Sequence, residues 1–191
     1  MLIRKLTWYY TRTTIGIILN AKGYEMKDDT YTEMEVKGLT LDPLTSMPVV
    51  LLKDLKGRHT IPIWIGILEA SAIAAELEKM TLARPMTHDL LRNTVHALGA
   101  DIIMVEVNDL RDNTFYATIY LKKGKKEIAV DARPSDAIAI ALRVNCPIFV
   151  SDKVIERSKR IDLTAKGKVE KGDWEGILEK LLPEDFGKYK M

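Results

Sequence analysis

Glu127-Ile-Ala-Val-Asp131-Ala-Arg-Pro-Ser-Asp136-Ala-Ile-Ala-Ile-Ala-Leu142 is the stretch whose reading decides the fold. A strand from Glu127 to Asp131 runs into a charged turn and then into an apolar helix. Pro134 suits the first helical position, where its missing N–H leaves no bond unmade. Ser135 and Asp136 then fall in the first turn, where unpaired N–H groups and the helix dipole favour negative charge. Two carboxylates and a guanidinium lie within six residues at a strand end. Such a junction is a sound helix start, and also a place where a polar site is held by rigid elements.

The same pattern stands 67 residues earlier. Glu69-Ala-Ser-Ala-Ile-Ala lies over Asp136-Ala-Ile-Ala-Ile-Ala, Lys56-Gly57 over Lys123-Gly124, and Asp42 over Asp109. Residues 42–74 and 109–141 share eight identities in 33 ungapped positions, where chance gives roughly two at average residue usage. The Lys-Gly turn and the Asp do not come from alanine bias. The pattern predicts an internal duplication of strand–strand–strand–helix units.

Working outward, period-2 patterning predicts strands from Met34 to about Leu41, Pro48 to Asp54 and His59 to Ile65. A helix over 67–80 follows, with Ala70, Ile73, Leu77 and Met80 on one face. Thr87 opens a second helix that ends before Gly99, with Leu90, Leu91, Thr94, Val95 and Leu98 as its apolar positions. It is the insert between the two units. The second unit has strands over 101–107 and 114–121, joined by a charged turn, Asn108 to Asn113. The Lys122-Lys-Gly-Lys-Lys126 hairpin leads back to the opening stretch. A short strand, Pro147 to Val150, and a short helix, Ser151 to Ser158, close the domain. The expected fold is α+β, with a mixed or antiparallel sheet.

Three segments follow: residues 1–30 as a flexible leader, 31–158 as the domain, and 159–191 as a basic linker with a short helix over 173–182. The 191 residues suffice for one domain with a substantial core. The net charge of +2 comes entirely from the leader, since residues 31–191 carry 24 basic and 24 acidic groups. A strong non-specific nucleic-acid binder is usually more basic, so any such binding must use local patches. One cysteine, Cys146, excludes an internal disulfide and a multi-cysteine zinc site, and points to a cytoplasmic chain. No run is long and apolar enough to span a membrane.

Five stretches carry a resemblance: Val36-Lys-Gly-Leu-Thr-Leu-Asp-Pro43, Pro62-Ile-Trp-Ile-Gly66, Arg84-Pro-Met-Thr-His-Asp-Leu-Leu91, Asn108-Asp-Leu-Arg-Asp-Asn-Thr-Phe-Tyr-Ala117 and Asp131-Ala-Arg-Pro-Ser-Asp-Ala-Ile-Ala139. In these the domain resembles the bifunctional nuclease domain family. The resemblance implies an α+β domain acting on both DNA and RNA. It transfers no catalytic set, so site residues come from the chemistry. Phosphodiester hydrolysis needs an activated water and neutralised phosphoryl oxygens. Asp109, Asp131, Asp136, Glu69 and His88 are the candidate catalytic groups. Asp131 and Asp136 are the candidate ligands of a divalent metal, Mg²⁺ or Mn²⁺. Arg84, Arg111, Arg133, Lys123 and Lys125 are the candidate substrate contacts. Self-association is compatible with this reading. Two rival readings are a non-catalytic module binding a ligand or partner, and a small-molecule hydrolase.

Overall fold

A computed structural model describes residues 30–158, apart from Leu44 and Thr81. The expected leader, linker and 173–182 helix lie outside the described residues. The order of elements is β1 (Tyr31–Leu41), β2 (Pro48–Asp54), β3 (Thr60–Trp64), α1 (Ile67–Leu77), α2 (Thr87–Ala97), β4 (Asp101–Arg111), β5 (Thr114–Lys123), β6 (Lys126–Ala132), α3 (Pro134–Val144), β7 (Ile148–Ser151) and α4 (Asp152–Ser158).

The seven strands form one sheet in the order β3-β2-β1-β7-β4-β5-β6. All neighbours are antiparallel except β4 and β7, so the sheet is mixed. Three consecutive antiparallel strands stand on each side of β7, and a helix follows each set. This is the expected order of elements, with α2 inserted between the halves. Descent of the halves from one ancestor is an inference from the sequence repeat alone.

Alternation explains the layers. Val50, Leu52, Ile61, Ile63, Val105, Val107, Ala117, Ile119 and Val150 point to one face and join one apolar core. Ala70, Ile73 and Ala74 of α1 and Ala137, Ile138 and Ala141 of α3 cover them. Alanine on both helices lets their axes approach closely over the sheet. Among the described residues no helix is long and apolar enough to cross a membrane.

Two local expectations change. The charged stretch 108–113 is mostly strand, because a bulge between Val107 and Asp109 lets β4 run on to Arg111. The turn shrinks to Asp112 and Asn113, both left-handed at φ 47° and 58°. That suits a two-residue hairpin turn, which favours these residue types. The first helix stops at Leu77 rather than Met80. Lys79 takes φ 55° there, and Met80 is left 39% exposed.

Candidate functional site

Four parts of the fold meet at one cleft of about 900 Å³. The β3–α1 junction supplies Trp64, Gly66 and Glu69. The β4–β5 turn supplies Asp112, Asn113 and Thr114. The start of α3 supplies Arg133 and Ser135, and α4 supplies Arg157. The two charged turns of the second half thus border the same space.

At the start of α3, Arg133 holds the N-cap position with an extended backbone, and Pro134 follows at the first helical position. Asp136 sits one turn in, but its carboxylate does not cap the helix. Instead it accepts Arg133 Nε at 2.8 Å on Oδ2 and Arg133 Nη2 at 3.2 Å on Oδ1. Arg133 Nη1 donates to Glu69 Oε1 at 2.7 Å, which ties the first turn of α1 to that of α3. His88, on α2, stands behind with Nε2 3.1 Å from Asp136 Oδ1. Gly66 makes room for Glu69, since a Cβ there would stand 2.3 Å from Glu69 Oε2.

Electrostatics follow from these contacts. Burial raises the Asp136 carboxyl, but hydrogen bonds from Arg133 and His88 outweigh it and hold the group below the usual carboxylate range. The hydrogen bond with Asp136, and then that carboxylate's charge, push the Arg133 guanidinium above its ordinary value. Its side chain is 66% exposed. Among the described residues its bonds take three of five N–H groups, leaving two for a ligand.

Asp109 belongs to a second, adjoining ion pair. It accepts Arg111 Nε at 2.6 Å, Arg157 Nη1 at 2.9 Å and the Leu110 N–H at 2.9 Å. Burial raises its carboxyl, and the hydrogen bonds from Arg111 and Leu110 more than reverse that. Asp109 is buried, so it anchors Arg157 at the cleft rather than facing it. Arg111 also lies over the Tyr116 ring, 5.1 Å from its centre.

The remaining candidates lie elsewhere. Asp131 is exposed on β6, opposite Thr118, and does not line the cleft. Arg84 lines a smaller depression of about 250 Å³ with Arg92 and Arg143. Lys123 and Lys125 sit at the far end of the β5–β6 hairpin, about 30 Å from Thr114 by strand rise.

The residues present do not fit a divalent ion. Both Asp136 oxygens are engaged by Arg133, and Asp131 stands apart from them. Among the described residues no three His, Cys, Asp or Glu side chains gather as a metal requires.

Arg157 and Arg143 escaped the sequence reading. Arg157 is an ordinary basic residue in the last turn of a short helix, with no local signal. Arg143 is only 2% exposed and donates to Asp89, Ala139 O and Ala72 O, locking three helices together. Its signal was an arginine at the end of an otherwise apolar helix.

Two guanidinium groups, Arg133 and Arg157, and the Glu69 carboxylate thus line a single cleft. A family model described as bifunctional nuclease domain matches residues 50–162, the span from β2 to beyond α4. The chain is 38% identical over 162 residues to an uncharacterized protein of Mycobacterium tuberculosis, covering 81% of this chain and 97% of that one. It is 30% identical over 114 residues to bifunctional nuclease 2 of Arabidopsis thaliana, covering 58% of this chain and 34% of that protein. To bifunctional nuclease 2 of Oryza sativa subsp. japonica it is 26% identical over 118 residues, 60% of this chain and 36% of the other. The chain belongs to the bifunctional nuclease domain family.

Proposed function

We propose that this protein hydrolyses phosphodiester bonds of DNA and RNA, with the cleft between Glu69 and Arg157 as the place of reaction. The observation that carries the reading is the bond from Arg133 to Glu69, 64 residues apart, at the rim of a cleft of about 900 Å³. It places a carboxylate beside a guanidinium that still has free N–H donors, which is what attack of water on a phosphate diester needs.

In this reading Arg133 and Arg157 donate to the non-bridging phosphoryl oxygens and offset the charge that builds there. Glu69 takes a proton from a water whose oxygen forms the new bond to phosphorus. The P–O bond to the leaving sugar oxygen breaks, and that oxygen takes a proton from solvent. Asp136 and His88 are positioning residues: Asp136 holds Arg133, His88 braces Asp136, and neither lines the cleft. No step runs through a metal, since these residues do not gather one. A lone cysteine and a nucleic-acid substrate both suit a reducing cytoplasm.

One observation favours a second reading, a non-catalytic module that binds an anionic ligand. Asp109, Asp136 and Glu69 are each held by an arginine, as in a structural ion-pair network. End-labelled single-stranded DNA and RNA, incubated with purified full-length protein with and without EDTA, separate the two. Cleavage that survives EDTA and vanishes in Arg133→Ala supports the metal-free hydrolase. Retention of uncut oligonucleotide supports the binding module. Cleavage abolished by EDTA alone overturns the metal-free chemistry.

A further inference from the structure

We propose that the depression between the end of α1 and the first turns of α2 binds a nucleoside monophosphate, with three arginines on its phosphate. It lies outside the cleft and shares no lining residue with it. Its volume is about 250 Å³, and its charged lining is Glu76, Arg84, Asp89, Arg92 and Arg143. Asp89 and Arg92 stand three apart on α2 and so share one side of that helix. Arg143, from the end of α3, forms the floor, its side chain only 2% exposed.

Charge selects the ligand. Both carboxylates of the depression are already engaged. Glu76 accepts a hydrogen bond from Lys79 at 3.0 Å, and Asp89 accepts Arg143 Nε and the Met86 N–H, each at 3.0 Å. Burial raises the Asp89 carboxyl, but the Met86 bond and the Arg143 charge more than reverse that, so it stays an anion. Among the described residues Arg84 has no partner, and Arg92 donates only to the neutral Asn93 side chain. Two positive charges are left over. The cleft, by contrast, sets two arginines against two carboxylates. A phosphate monoester carries about −1.5 to −2 at pH 7 and matches that excess. A backbone phosphodiester, with a single charge, does not.

Donor geometry agrees. Arg143 gives three of its five N–H groups to Asp89, Ala139 O and Ala72 O. Those bonds hold its guanidinium plane and leave one N–H on each Nη. A guanidinium held in place suits phosphate oxygens better than a flexible ammonium. The depression is larger than a phosphate group, and Met80, Leu82 and Pro85 form its other wall. Met80 and Leu82 are 39% and 46% exposed. A base laid against them removes apolar surface from water. That wall offers no hydrogen-bonding pattern to a base edge, so the site takes purine and pyrimidine alike.

The test is calorimetric titration of the full chain at low salt with adenosine and uridine 5′-monophosphate, beside inorganic phosphate and adenosine. It reads binding, so its outcome is independent of cleavage at the cleft. Expected are near-equal affinities for the two nucleotides and no binding of adenosine. Inorganic phosphate, which lacks the apolar contact, should bind at least about tenfold more weakly. The double variant Arg84→Gln, Arg92→Gln should weaken nucleotide binding about 100-fold, roughly tenfold for each charge-assisted bond lost. Arg84→Gln alone, at an exposed loop position, should cost about tenfold with an unchanged far-UV spectrum. Arg133→Ala, in the cleft, should bind the nucleotides as wild type does. Four results overturn the proposal: no nucleotide binding by well-folded wild type, unchanged affinity in the double variant, affinity lost in Arg133→Ala, or inorganic phosphate bound as tightly as the nucleotides.

Discussion

Arg133 gives three N–H groups to Asp136 and Glu69 and keeps the rest toward the cleft. A lysine there retains the charge but not the fork, and it cannot hold two carboxylates in a fixed plane. Arg133→Lys should lower kcat/KM about 100-fold, the loss typical of a transition-state donor. Stability should fall by less than about 1 kcal/mol, because the pair is solvent-exposed. Denaturant melts beside steady-state cleavage check both. Glu106 is a different residue problem. It is 2% exposed, accepts a hydrogen bond from Tyr120 Oη at 2.8 Å, and among the described residues leaves Oε1 without a partner. Burial raises its carboxyl, and the Tyr120 bond reverses only part of that. A raised acid favours the folded state below the unfolded value and loses that advantage as pH rises through the folded one. Glu106→Gln should therefore melt higher than wild type at pH 7, by roughly 3–6 °C, with the gap closing below about pH 4. Asp136 has the opposite sign: held low, it stabilises above the ordinary Asp range, and that stability is lost as pH falls through its lowered value. An Asp136→Asn variant should accordingly show a flatter acid limb.

The element that binds the others is the end of α3. Arg143 links α1 through Ala72 O, α2 through Asp89 and its own helix through Ala139 O. Arg143→Met strands a carboxylate and should cost about 3–5 kcal/mol, the range for breaking a buried pair. It should also loosen α2 and with it His88, visible as faster hydrogen exchange over 87–97. Much at this scale was legible in the sequence. The run from Glu127 through Pro134 to Leu142 gave strand, helix start and apolar face correctly, because Pro at the first position and alternation are strong local signals. The repeat set Glu69 over Asp136, but the bond that joins both to Arg133 was not in the sequence pattern, and Asp131, expected beside Asp136, stands apart on β6. Other parts were not legible. Asn108 to Asn113 reads as a turn by composition, and the bulge that carries β4 onward depends on the β5 register. The apolar positions of α2 have a helical period, but period does not say whether a face meets a core or solvent, and Leu90, Leu91 and Leu98 are exposed. Arg157 reaches the cleft only through tertiary packing.

On the scale of the whole molecule, charge is separated from chemistry. The cleft lining holds two arginines, Arg133 and Arg157, against two carboxylates, Glu69 and Asp112. Its pull on a polyanion is therefore weak. The β5–β6 hairpin holds Lys122, Lys123, Lys125 and Lys126 at the other end of the sheet. A strand long enough to span both would be gathered by the lysines and cut at the cleft. Replacing the four lysines with glutamine should reduce the salt slope of single-strand binding by up to about 3. kcat at saturating substrate should stay unchanged. The central claim is that Glu69 activates the attacking water beside Arg133. The most direct measurement is single-turnover cleavage of an end-labelled oligonucleotide by wild type and Glu69→Gln, with affinity recorded in parallel. Expected is cleavage by wild type and a rate at least about 100-fold lower in Glu69→Gln, at near-equal affinity and with an unchanged fold. Cleavage by Glu69→Gln at the wild-type rate, or no cleavage by well-folded wild type, would contradict it.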